Sequence, residues 1–119
     1  MANTYSRCVT TRAVLLAACC LLSACGADVS TEELISRAEH FMEKGDYKSA
    51  TIELKNAIAT DLNNAQARLL LGKTYFESGD LEGAGKELAR ARELGAAREA
   101  VLPLLAQARA ALGMHDELM

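Results

Sequence analysis

Beyond residue 25 the chain has no cysteine, and across its 119 residues it has no tryptophan, one proline and two histidines. Four cysteines in a short chain suggest a disulfide framework or a metal site. Cys8, Cys19, Cys20 and Cys25 all lie in the first 25 residues, however, and a disulfide scaffold needs cysteines spread along the fold it staples. Zinc needs paired ligands flanking folded structure, and His40 and His115 are isolated from the cysteines and from each other. Basic residues are also scarce. Thirteen Lys and Arg against sixteen Asp and Glu leave a net charge of −3, with no basic excess to neutralise phosphates, which argues against nucleic acid. The longest hydrophobic run, Ala13 to Leu22, has ten residues, against the roughly 20 that a membrane-spanning helix requires. There is no G-x-S-x-G, no H-E-x-x-H and no phosphate loop. The chain is therefore expected not to be an enzyme, and to take no cofactor, metal or small-molecule substrate. No segment alternates as a β-strand does.

What the N-terminus does have is the organisation of an export signal. Arg7 and Arg12 form a basic region without acids, AVLLAACCLL follows, and small residues precede Cys25. A positive flank, a short apolar core and small residues make a secretory signal. Leu22-Ser23-Ala24-Cys25 resembles the lipobox of bacterial lipoproteins: an aliphatic residue, two small residues, then cysteine. The resemblance implies that the Cys25 thiol carries diacylglycerol through a thioether, and that a dedicated signal peptidase cuts before it. Two or more acyl chains anchor stably where one binds marginally, so a membrane partner is expected through lipid on Cys25. Gly26 in place of aspartate favours the outer membrane by resemblance to enterobacterial sorting. Cleavage would leave 95 residues with a net charge of −5. The expected location is the bacterial envelope, lipid-anchored on the periplasmic face of the outer membrane.

From residue 31 the chain repeats. Gly45-Asp46 and Gly79-Asp80 are 34 residues apart, and Gly113 lies 34 further on. At this offset GDYKSATIELKNAIAT (45–60) and GDLEGAGKELARAREL (79–94) share six of sixteen residues, and Ile35/Leu69, Ala38/Gly72, Phe41/Tyr75 and Glu43/Glu77 agree in type. A 34-residue period of helix–turn–helix units resembles the tetratricopeptide (TPR) family. Signature positions hold Leu34, Ala38, Phe41, Gly45, Tyr47, Ala50, Leu54 and Ala57 in the first repeat, and Leu71, Gly72, Tyr75, Gly79, Leu81, Ala84, Leu88 and Ala91 in the second. The third shows Leu102, Leu105, Ala106 and Gly113. Arg37 and Arg68 depart from large apolar positions, Leu62 and Ala96 from the usual proline, and Arg109 from an aromatic.

The expected fold is an all-α TPR solenoid of about two and a half repeats. Its organisation is a signal peptide (1–24), the lipidated cysteine and a short linker (25–30), repeats at 31–64 and 65–98, and a partial repeat at 99–119. Small residues at 38, 50, 57, 72, 84 and 91 would let helices approach, with larger ones filling beside them. Glycine would take a left-handed C-cap and aspartate would cap the next helix. The spacing predicts helices at 31–44, 47–60, 65–78, 81–94 and 100–112, with a stub from 115 and Pro103 in the first turn of the fifth, where its missing N–H costs little. About three repeats are needed for stability. The chain thus reads as the start of a longer array, or else as a short domain needing a partner.

TPR arrays present a groove lined by the first helix of each repeat, so a protein or peptide partner is expected there. The family's groove positions fall on Glu32, Ile35, Glu39, Met42 and Glu43, then on Gln66, Leu69, Lys73, Phe76 and Glu77, then on Gln107, Ala110 and Ala111. Phe76 follows Tyr75, and one helix cannot turn both inward. Phe76 would either meet a peptide beside Lys73 and Glu77 or pack against a neighbouring repeat. Glu39 and Glu43 read as a solvated face or as an electrostatic binding surface. The lipobox running almost directly into GDYKSATIELKNAI, ARLLLGKTYFESGD and VLPLLAQARAALG resembles the TPR lipoproteins of the PEP-CTERM/exosortase system (PrsT type). That resemblance implies an envelope scaffold in PEP-CTERM protein sorting and exopolysaccharide export. An outer-membrane assembly or secretion accessory of the pilotin or barrel-assembly kind also combines lipobox and TPR, and a binding module of a longer enzyme is a third reading.

Overall fold

In a computed structural model, which describes residues 29–118, the chain is a stack of antiparallel helices. They are α1 (Thr31–Glu43), α2 (Tyr47–Thr60), α3 (Ala65–Ser78), α4 (Leu81–Glu93) and α5 (Arg98–Leu118). Each helix packs on its chain neighbours, while first helices touch across repeats only lightly. The expected signal peptide and the lipobox residues Leu22, Ser23, Ala24 and Cys25 lie outside the described residues.

The helix ends follow from local chemistry. The side chains of Ser30, Asp46, Asn64 and Asp80 each accept the backbone N–H three residues on, at 3.1, 3.1, 2.8 and 2.9 Å. Each satisfies one of the donors that a helix start leaves open. Gly45 and Gly79 have φ of +73° and +89°, the left-handed turn that a Cβ disfavours. Beyond them Asp46 N–H donates to the Phe41 carbonyl and Asp80 N–H to that of Tyr75, both at 2.9 Å, closing Schellman turns. One Gly-Asp pair therefore stops one helix and starts the next. Gly95 repeats the stop after α4, with Ala96 N–H donating to the Ala91 carbonyl.

Two apolar cores run through the stack. Leu34 and Ala38 of α1, Leu54, Ala57 and Ile58 of α2, and Ala67, Leu70 and Leu71 of α3 form the first. Ala84, Leu88 and Ala91 of α4 and Val101, Leu105 and Ala108 of α5 form the second. Tyr75 packs against both and joins them. All six small positions singled out by the period are buried. The closest approach is at Gly72, where a Cβ would lie 2.7 Å from Leu88 Cγ. Thr74, fully buried, donates its hydroxyl to the Leu70 carbonyl at 2.8 Å, so the buried polar group is satisfied within its own helix.

The two arginines in apolar positions are accommodated differently. Arg68 reaches across to Glu87 of α4 at 2.9 Å, with both side chains 21 % exposed. Arg37 is exposed and pairs with Glu33 one turn back. Its counterparts Leu71 and Leu105 are buried because α2 and α4 cover them.

The fifth helix differs from expectation. It begins at Arg98, so Pro103 sits in its second turn, not its first, and it runs unbroken to Leu118 through Gly113. Pro103 cannot donate to the Glu99 carbonyl, and both residues are exposed, which leaves that carbonyl to water. A helical glycine costs only about 1 kcal/mol. The expected stub from 115 is instead the last part of α5. Leu102, Ala106 and Arg109, aligned with Leu34, Ala38 and Phe41, are exposed on its face.

Candidate functional site

The first helices of repeats one and two lie side by side, and between them opens a groove of about 570 Å³. Glu39, Met42 and Glu43 line it from α1, Tyr47 from the start of α2, and Leu70, Lys73 and Glu77 from α3. Helical spacing explains the set. Residues 39 and 43, like 73 and 77, are one turn apart and share a face. Met42 packs against the first core and Leu70 belongs to it, so the floor is apolar and continuous with the interior. Glu39, Glu43, Lys73 and Glu77 are exposed and form the rim. Tyr47 is placed by the turn: Gly45 reverses the chain, Asp46 caps α2, and Tyr47 is its first residue.

The turn also perturbs a carboxyl. The Ser49 hydroxyl donates to Asp46 at 2.6 Å and the Ser49 backbone N–H at 3.1 Å. These bonds, the hydroxyl foremost, hold the Asp46 carboxyl below its ordinary range. Away from the groove, Lys86 lowers the Glu82 carboxyl and is itself raised, chiefly through their mutual 2.8 Å hydrogen bond. Lys55 of α2 stands 6.0 Å from the centre of the Tyr75 ring, the outer limit for a cation over an aromatic face.

Five of the sequence-predicted groove residues come together here: Glu39, Met42, Glu43, Lys73 and Glu77. Phe76 does not. It is half-buried and packs against the α4–α5 core. Gln107 is exposed on α5 and does not line this groove. Ile35 packs against the first core and Leu69 against the second. Tyr47 and Leu70 were not among the expected residues. Tyr47 is a signature position of the repeat, and Leu70 is the middle of a Leu69–Leu71 run too uniform to show which member faces outward.

The profile of the tetratricopeptide repeat family matches residues 41–115, well over half of the chain. The chain belongs to the tetratricopeptide repeat family. A comparison with curated proteins finds no match. As a TPR protein, the chain is a scaffold for protein–protein interaction. Among the described residues no group of three or more His, Cys, Asp or Glu is placed to hold a metal. No described helix is long and apolar enough to cross a membrane.

Proposed function

We propose that this TPR protein is an envelope-anchored scaffold that holds a protein partner in the α1–α3 groove close to a membrane, with no catalysis of its own. The observation that carries the reading is the groove itself, an apolar floor of Met42 and Leu70 with a charged rim. That combination suits a site where an apolar side chain fixes the occupant and polar groups orient it. Leu22-Ser23-Ala24-Cys25 and the basic, apolar segment before it support the anchor. With only residues 26–30 between that cysteine and α1, the groove would be held near the bilayer. The resemblance to PrsT-type lipoproteins supports PEP-CTERM sorting and exopolysaccharide export on the periplasmic face of the outer membrane as the setting.

Two experiments test it. Cys25→Ser should shift the protein from the membrane to the soluble fraction and abolish incorporation of labelled palmitate; retention of both would refute the anchor. A photo-crosslinking residue at Met42 should trap a protein partner in cells, whereas one at Ile52, which is 54 % exposed on α2, should not. Equal crosslinking at both positions would refute the groove as the binding surface.

A further inference from the structure

The groove carries an excess of negative charge beside its apolar floor. Its rim carries three carboxylates, Glu39, Glu43 and Glu77, and one ammonium, Lys73. The ion pairs among the described residues are Glu33–Arg37, Arg68–Glu87, Glu82–Lys86 and Arg90–Glu93. None involves a groove residue. Lys73 and Glu77 are one helical turn apart, a spacing that lets opposite charges meet, yet they form no pair. Elsewhere four carboxylates, Glu33, Glu82, Glu87 and Glu93, are each paired with a cation. In the groove three carboxylates form no ion pair and outnumber the single ammonium of Lys73, beside an apolar floor.

We infer that the groove selects a peptide segment in which basic residues flank an apolar one. This rests on the reading of the groove as a partner site and names the class of partner. The apolar side chain lies on Met42 and Leu70 against the Tyr47 ring, and methionine, with its flexible thioether, adapts to different shapes. The basic side chains meet Glu39 and Glu43, about 6 Å apart along α1, and Glu77 across the groove. The segment in contact is short: residues 70–77 of α3 span about 10 Å, the length of about three extended residues. An acidic peptide, or an anionic lipid headgroup, would set like charge against three carboxylates, which complementary surfaces avoid.

The test uses the full chain in non-ionic detergent and fluorescence anisotropy with labelled peptides that differ only at the core, Lys-Leu-Lys, Gln-Leu-Gln or Glu-Leu-Glu. The Lys-Leu-Lys peptide should bind tightest and weaken with added salt. The variant Glu39→Gln/Glu43→Gln/Glu77→Gln, all at exposed positions, should lose about tenfold or more in affinity, as expected for three rim charges together. Lys73→Gln should gain a few-fold, and Glu82→Gln, outside the groove, should change nothing. Equal or tighter binding of the Gln-Leu-Gln or Glu-Leu-Glu peptide would overturn the inference. If that binding is still lost on Tyr47→Ala, the groove remains the site and only the selection for basic residues fails. Binding by no peptide, or binding indifferent to every groove substitution, overturns both.

Discussion

Replacing Gly72 with alanine should destabilise the protein, although alanine is the better helix former. The reason is the approach of α3 to α4. A Cβ on residue 72 would lie 2.7 Å from Leu88 Cγ, 2.9 Å from its Cδ2 and 3.1 Å from its backbone nitrogen, where carbon atoms in contact prefer about 3.5–4.0 Å. Leu88 is fully buried, so its side chain cannot swing into solvent to make room. Overpacking of this kind costs about 1–3 kcal/mol, and the gain in helix propensity is about 1 kcal/mol, which leaves a net loss of about 1 kcal/mol. The sign should reverse in a Leu88→Ala background. That change alone costs about 2–5 kcal/mol, but it removes the atoms that the new methyl meets, so Gly72→Ala then recovers its propensity gain and fills part of the cavity. The coupling between the two sites should be about 2 kcal/mol. Urea unfolding of the four proteins, followed by helical circular dichroism, measures it. An equal effect of Gly72→Ala in both backgrounds, or a stabilisation in the parent chain, would refute the argument. Ala38, at the same place in repeat one, already carries the methyl and is buried without exposure, so the constraint belongs to the second hairpin and not to the repeat in general.

Two further outcomes follow from the polar contacts. Removing Arg68 alone, as Arg68→Met, should cost about 1–3 kcal/mol by leaving the half-buried Glu87 carboxylate without its partner, whereas Arg68→Leu with Glu87→Met should be neutral or stabilising; thermal melts of both variants check the contrast. The Asp46 carboxyl is lowered in the folded chain, so its contribution is present above the ordinary carboxylate value of 3.8 and is lost as pH falls through the lowered folded value. Asp46→Asn should therefore flatten the acid limb of the stability–pH profile, and an unchanged limb would contradict the role of the Ser49 hydrogen bonds.

Much of this architecture is legible in the residues themselves, and the places where it is not are informative. The first four helices end within a residue of their expected bounds because all of those boundaries but the end of α2 are carried by local chemistry, a left-handed glycine or a side-chain cap, which depends little on the rest of the fold. The fifth departs at both ends: it starts two residues before the position that the spacing predicts, and it runs on through Gly113, where the 34-residue spacing marks a turn. The groove was partly legible. Glu39, Met42, Glu43, Lys73 and Glu77 follow from repeat position, which determines the direction a helical residue faces. Phe76 and Leu70 do not, because both sit in runs of large apolar residues where only the packing of the next repeat decides which side chain is covered. Arg68 shows the same limit: its alignment with Leu34 indicates a packed position, but the ion pair to Glu87 depends on a residue 19 positions away.

The central claim is that the α1–α3 groove is where this TPR protein receives its partner. Backbone and methyl NMR of the full chain in detergent, titrated with the Lys-Leu-Lys peptide, tests it most directly. The expected shifts cluster at Glu39, Met42, Glu43, Tyr47, Leu70, Lys73 and Glu77, while Ile52 on α2 and Leu102 on α5 stay unchanged. Shifts centred on α5 or on the outer face of α2, with the groove residues silent, would contradict it.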